Sequence, residues 1–337
     1  MTEIDAGPLR LSLLSFAAFS IIALTAPWGS KGQDSPAPLA SHNANSAQIL
    51  LSVSVTDKHG QVPAKLSKDD FTLLDGKSPQ QISLFEERDA PYSIGFLFDT
   101  SGSMVRQDKL RQDKQMLSIP RDNILRFVTR SHKANEYFFA TFGERLELVM
   151  DWTRDANTIG DALDKLARVR PKGPTVFYDA CYFGIEKLRD RSNPRRALIL
   201  LTDGIDNVSK HSYKNLRELL KQSEVVIYVL DKGDPPAPLV GLGEGVLREL
   251  TSISGGAAFV TNDELKLNQV LDSIALEMQH QYTIGFNPAS LDGKWHSIKI
   301  KIKPIEVPDS SRPDKPHKQI SLSARNRQVF YAPKPSR

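Results

Sequence analysis

The 337-residue chain has a single cysteine, Cys181. One thiol excludes an internal disulfide framework and a cysteine-based zinc site. The histidines, from His42 to His317, are scattered and do not cluster. No Gly-x-x-x-x-Gly-Lys-Ser/Thr loop occurs, so that type of phosphate cradle is absent. Charge is nearly balanced, with a formal net of +4. The basic excess gathers at the end: from Lys294 onward, eleven Lys and Arg face three acids, Glu306, Asp309 and Asp314. Those lysines alternate with isoleucines in Lys299-Ile300-Lys301-Ile302-Lys303. That is the pattern of a solvated strand face, so no nucleic-acid partner is expected.

What is present begins with an apolar run of 16 residues, LSLLSFAAFSIIALTA at 11–26, preceded by Arg10. A Pro/Ser/Ala/Asn-rich stretch follows it. The pattern predicts a signal peptide or membrane anchor over 1–27 and a disordered linker over 28–46. Export is expected, leaving the protein periplasmic, secreted or anchored, with the membrane touched only through this segment. The cleavage signal is poor: Pro27 would follow Ala26, and Glu3 and Asp5 precede the run.

Residues 47–88 read as strand, turn, strand, turn, strand, with turn signals at Asp57-Lys58-His59-Gly60 and Asp75-Gly76. From residue 89 to 281 apolar strands alternate with amphipathic helices, which predicts a doubly wound, mostly parallel α/β sheet. Gly241-Leu242-Gly243-Glu244-Gly245 follows Pro235-Pro236-Ala237-Pro238 and reads as a flexible loop before a helix over Val246–Ser254. Residues 282–333 return to strands, among them Gln319–Ala324. Each β-rich flank is too small to stand alone. The expectation is that 282–333 packs with 47–88 as one small β-sandwich-like module.

The chemistry concentrates at Asp99-Thr100-Ser101-Gly102-Ser103, which follows the apolar strand Tyr92–Phe98. One carboxylate and two hydroxyls, two residues apart at a strand end, suit a hard cation that takes oxygen ligands. The C-terminal edge of such a sheet is also where ligands usually sit. Two more loops should reach the same edge. Both read as strand-to-helix positions: Pro171-Lys172-Gly173-Pro174-Thr175 supplies a hydroxyl just before a helix, and Leu200-Leu201-Thr202-Asp203-Gly204 supplies a carboxylate after a buried strand. Gly102, Met104 and Asp206 would form a partner-binding rim. The polar excursion at 105–117 reads as a solvated loop, an extra helical turn or part of that rim. Cys181 is expected in the core.

These three loops resemble those of von Willebrand factor type A domains. The match runs over about residues 90–281, and the flanks resemble bacterial exported proteins that carry this domain. The resemblance implies a metal-ion-dependent adhesion site of Asp99, Ser101, Ser103, Thr175 and Asp203. It places Ser101 and Ser103 directly on the metal, with Thr175 and either Asp99 or Asp203 bound directly or through water. Gly173-Pro174-Thr175 stands where Gly-Gly-Thr is more usual, and Pro174 stiffens that loop. Magnesium is the expected ion, with manganese and calcium as alternatives. The implied function is protein binding, in which an unidentified partner's Asp or Glu completes the coordination. The alternative is a metal-dependent hydrolase or phosphoryl-transfer enzyme, since an aspartate ending a parallel strand is also a nucleophile position. Against it, no histidine lies in the three loops, and Ser101 occupies the place of a second carboxylate. A non-enzymatic role is therefore expected.

Overall fold

The structure, a computed structural model, describes residues 48–337 except 64, 105–119, 232–241, 262–263, 309–316 and 335–337. The apolar run at 11–26, the linker at 28–46 and the excursion at 105–117 lie outside the described residues. Among the described residues, no helix is long and apolar enough to cross a membrane.

Alternation of Ile49, Leu51, Val53 and Val55 puts four buried side chains on one face of β1 (Ile49–Asp57). β2 (Phe71–Asp75), β3 (Ser78–Gln80) and β4 (Ile82–Glu87) follow. The rhythm then changes. β5 (Tyr92–Asp99) is buried at every position, as a strand covered on both faces must be. After it come α1 (Arg121–Arg130), β6 (Glu136–Phe142), β7 (Leu146–Thr153), α2 (Ala156–Leu166) and α3 (Phe177–Arg189). β8 (Arg195–Leu201), α4 (Tyr213–Gln222), β9 (Val225–Asp231), α5 (Leu242–Ser254), β10 (Ala257–Val260) and α6 (Glu264–Gln279) complete the alternation. The chain ends in β11 (Tyr282–Phe286), β12 (Lys294–Ile302), β13 (Ile305–Pro308), β14 (His317–Ile320), β15 (Leu322–Arg325) and β16 (Val329–Ala332).

The central sheet has the order β10-β9-β8-β5-β6-β7. Its neighbours are parallel except the β6–β7 hairpin. Helices cover both faces and enclose two apolar cores. The doubly wound reading of the sequence holds. The flanking strands interleave across the chain. β1 lies between β11 and β15, with β4 beyond β11; β12 lies between β2 and β16, with β3 beyond β2. These two antiparallel sheets share a third core of Leu51, Val53, Leu73, Ile284, Ile300, Phe330 and their neighbours.

Polar contacts tie this β-rich part to the α/β part. The Tyr92 hydroxyl donates to Gln281 Oε1 at 2.6 Å, and Gln281 Nε2 donates to Ser54 Oγ at 3.1 Å. Glu277 of α6 accepts the Tyr228 hydroxyl at 2.7 Å and pairs with Arg325 of β15.

Two details differ from the sequence reading. The stretch read as one strand, Gln319–Ala324, is divided between β14, which pairs with β13, and β15, which pairs with β1. An even alternation of side chains does not reveal a change of partner. The glycine-rich stretch is also not a loop where it is described, since α5 begins at Leu242. A Cβ on Gly243 would stand 2.9 Å from the Gly204 carbonyl oxygen, so glycine lets this helix approach the Asp203-Gly204 turn.

Another glycine fixes α3 against the sheet. A Cβ on Gly184 would lie 2.8 Å from Leu198 Cδ1 and 3.2 Å from Leu97 Cδ1. Gly184→Val should therefore destabilise the protein by about 1–3 kcal/mol through overpacking. Urea unfolding monitored by circular dichroism checks this, and an unchanged midpoint would contradict it.

Candidate metal centre

The site follows from strand order. From β5 the chain proceeds to β6 on one side, while β8 to β10 are laid down on the other. Loops leaving the C-terminal ends of β5 and β8 therefore diverge and open a crevice. The register pairs Phe98 with Leu201, which brings the next residues, Asp99 and Thr202, level.

Asp99 is buried, at 1% exposure. Its Oδ1 accepts the Ser101 N–H at 2.9 Å, and its Oδ2 accepts the Thr202 hydroxyl at 2.7 Å. Thr202 Oγ1 in turn accepts the Gly204 N–H at 3.0 Å. Gly204 has φ +76°, a conformation that suits glycine, and a Cβ there would strike Leu247 at 2.5 Å. Among the described residues, no lysine or arginine pairs with Asp99. Burial pushes its carboxyl up to about 6; the Ser101 and Thr202 hydrogen bonds oppose this, and the nearby Asp203 charge adds to it.

Ser101 is buried and Ser103 is exposed, with their hydroxyl oxygens 3.0 Å apart. The second loop does not leave a strand as the sequence reading expects but joins α2 to α3. Two backbone bonds pin it to the first, Lys172 N–H to Thr100 O at 2.9 Å and Gly102 N–H to Gly173 O at 3.0 Å. Gly173 takes φ +74° and turns the chain toward Pro174. Thr175 is 1% exposed. Asp203 is half-buried, and its Oδ1 accepts the Ile205 N–H at 3.2 Å.

The third loop is knitted to the second. Asn207 Oδ1 accepts the Thr175 N–H at 3.2 Å, and the Asn207 N–H donates back to Thr175 O at 2.9 Å. Asp206 Oδ1 accepts the Tyr178 N–H at 3.1 Å, and Ser209 Oγ accepts the Asp179 N–H at 3.1 Å. Asp206 and Ser209 thus satisfy two of the orphan donors at the start of α3, whose own N-cap, Val176, offers no side-chain acceptor. The Asp179 carboxylate returns the favour by accepting the N–H groups of Lys210 and His211 at 2.9 and 2.8 Å. Burial works to raise the Asp179 carboxyl, but those bonds leave it below its ordinary value.

The fold thus carries Asp99, Ser101, Ser103, Thr175 and Asp203 to one edge on three mutually bonded loops. The rim residues fare differently. Gly102 is exposed and bonds to the second loop. Met104 packs partly against the core, and Asp206 Oδ1 serves the α3 terminus. Three residues of the site went unnoticed in the sequence reading: Thr202, Asp179 and Ser209. Only Thr202 carried a local signal, as a hydroxyl residue ending a buried strand.

The donor set fits a hard divalent cation. All donors are oxygens, as magnesium, manganese and calcium prefer. The buried Asp99 carboxylate has no lysine or arginine partner among the described residues, and hydroxyl oxygens share its edge. Among the described residues no cluster of three His, Cys, Asp or Glu exists. This accords with a site in which three of the five side chains, Ser101, Ser103 and Thr175, are hydroxyls.

The family profile of the von Willebrand factor type A domain matches residues 93–273, more than half of the chain. The chain belongs to the von Willebrand factor type A domain family. No curated protein matches it in sequence. Among solved structures, the PilB minor pilin from Streptococcus sanguinis is 16% identical, with a TM-score of 0.47 over 57% of this chain and 62% of the pilin. The chain therefore spans less than two thirds of the pilin's length. Proximal thread matrix protein 1 from the mussel byssus, with a zinc-occupied MIDAS motif, is 20% identical, with a TM-score of 0.46 over 61% of this chain and 50% of the other. The conserved hypothetical protein BatB from Bacteroides thetaiotaomicron is 18% identical, with a TM-score of 0.42 over 55% and 98%. The von Willebrand factor A match ends before β11, so the paired β-sheets lie beyond it.

A carboxyl raised by burial costs stability where it ionises in the folded state. Between the unfolded value near 4 and the folded value of about 6, the native state holds a proton that the unfolded state has lost. Stability then falls as pH rises through this window. In EDTA, Asp99→Asn should be more stable than the parent above about pH 6, by up to about 3 kcal/mol, with the gain fading toward pH 4. Denaturant titrations at several pH values test this, and an equal difference at pH 4 and pH 7.5 would contradict it.

Proposed function

We propose that this von Willebrand factor A protein is an exported, non-enzymatic binding protein. Its α/β domain docks a partner's Asp or Glu carboxylate on a divalent cation held by Asp99, Ser101, Ser103, Thr175 and Asp203. Magnesium is the proposed ion, ahead of manganese and calcium. The observation that carries this reading is the buried Asp99 carboxylate, without a cationic partner among the described residues, at an edge lined by hydroxyls. When bound, the cation supplies a positive centre that neutral serine and threonine oxygens leave partly uncompensated. Such a centre favours an incoming anion.

This chain's own residues do the positioning. Thr202 and the Ser101 N–H orient Asp99, Asn207 sets the Thr175 backbone, and the Asp179 bonds hold the third loop on α3. Ile205 and Val208 are 45% and 51% exposed beside this site. The Ile205 N–H bonds Asp203, and the Val208 N–H bonds Thr175 O at 3.2 Å. They offer apolar contact to residues next to the docked carboxylate. Against catalysis, the histidine nearest in sequence to the three loops, His211, is bound through Nδ1 to Asp179 at 2.7 Å and stacked on Tyr182.

Affinity capture from membrane and periplasmic fractions, with and without EDTA, tests the function. A partner should bind the parent protein, leave in EDTA and fail to bind Asp99→Ala that retains the parent circular dichroism. The double change Ile205→Ser with Val208→Ser should weaken that binding by roughly tenfold, as expected for lost apolar burial. Capture unaffected by EDTA would refute cation-dependent docking. Metal-dependent turnover of a phosphatase or esterase substrate, lost in Asp99→Ala, would favour the enzyme reading.

A further inference from the structure

A second cavity lies at the opposite edge of the central sheet. Its volume is about 430 Å³, and it sits between the N-terminal ends of β5, β8 and β9 and the sheet formed by β1, β11 and β4. β5 runs eight residues from Tyr92 at this cavity to Asp99. At about 3.3 Å per residue the two sites are roughly 25 Å apart.

Four arginines line the cavity, Arg88, Arg195, Arg196 and Arg327, against two acids, Glu86 and Glu224. The acids do not neutralise the four evenly. Glu86 pairs with Arg88 at 3.0 Å on an exposed rim. Glu224 approaches Arg196 at only 3.6 Å. Arg195 is buried, donates to the backbone carbonyls of Met278 and Gln281, both at 3.2 Å, and bonds the Tyr92 side chain, with no carboxylate partner among the described residues. Glu277, the acid nearest that end of α6, is already engaged by Tyr228 and Arg325. Arg327 likewise donates to the carbonyls of Val329 and Lys221, at 2.7 and 2.6 Å. Burial presses its guanidinium below its ordinary value. Arg196 donates to Arg191 O at 2.9 Å, while its Nε is buried with no partner. Four guanidiniums here share two carboxylates, and one buried N–H has no acceptor, an excess of positive charge and donors that a bound anion would offset. Leu84 and Ile253 add apolar wall, which bare phosphate would not need.

We propose that this cavity binds a small organic anion through an oxyanion group, carboxylate or phosphate, that bridges the α/β part and the paired β-sheets. Guanidinium forks recognise both groups by paired hydrogen bonds. Arg195 and Arg196 come from β8, Arg88 from the connection between β4 and β5, and Arg327 from the connection between β15 and β16. A bound anion would link all three segments and raise the stability of the folded chain by mass action.

Thermal unfolding and calorimetric titration of the full chain, with succinate and separately with inorganic phosphate at constant ionic strength, test the site. At least one probe should bind saturably and raise the unfolding midpoint, and which probe binds identifies the group. Arg196→Gln, with parent-like circular dichroism, should weaken binding at least tenfold, the loss of one charge-assisted hydrogen bond. Arg88→Gln, more exposed and gentler to the fold, should weaken it as well. Asp99→Ala should bind the anion as the parent does, which separates this site from the cation edge. Absence of saturable binding by both probes, or unaltered binding in both arginine variants, would overturn the proposal.

Discussion

The edge of the central sheet depends on one interaction: a buried Asp99 carboxylate held by the Ser101 N–H and the Thr202 hydroxyl. Two hydrogen bonds fix both oxygens in place but do not neutralise the charge. The result is an oriented anion in a low-dielectric crevice, with its carboxyl raised by burial to about 6. A protein that only needed to fold would gain by replacing it. That tension is typical of positions kept for what they bind rather than for stability.

The remaining loops follow from the need to hold hydroxyls beside that anion. Thr175 lies ahead of a helix whose N-cap, Val176, supplies no side-chain acceptor. Asp206 and Ser209 from the third loop fill that role, and Asp179 from the helix binds the third loop in return. Gly204 and Gly243 then let α5 back directly onto the Asp203 turn. Each loop is thus braced by another loop or a helix, which is the rigidity a preorganised ion site needs. The opposite edge of the sheet has the reverse electrostatics, with arginines outnumbering acids around a cavity. One domain therefore presents an uncompensated anion at one end of β5 and an excess of cations at the other.

Much of this is legible in the sequence. The alternation of apolar strands and amphipathic helices predicts the doubly wound sheet, because burial on both faces leaves a continuous apolar run such as Ala197–Leu201. Asp99, Ser101, Ser103 and Asp203 stand within a few residues of such runs, and Thr175 stands just before a helix. Local spacing marks each loop, and the strand order with β5 beside β8 brings them to one edge. The supporting residues were not legible in the same way. Asp179 is 31 and 32 residues from the N–H groups it accepts, and Ser209 is 30 from its own. Nothing local marks a carboxylate as a brace for a distant backbone. Asp206 looked like a rim residue because it follows Asp203, yet its Oδ1 serves α3. The glycines at 243 and 245 resembled a flexible loop because composition records freedom of the backbone. What the structure required at Gly243 was space for close approach.

Titration of the EDTA-stripped full chain with magnesium chloride, followed by calorimetry, tests cation binding at the β5–β8 edge most directly. One saturable site per chain, lost in Asp99→Ala and retained in Arg196→Gln, is the expected result. No saturable binding of magnesium, manganese or calcium, or equal binding by Asp99→Ala, would contradict it.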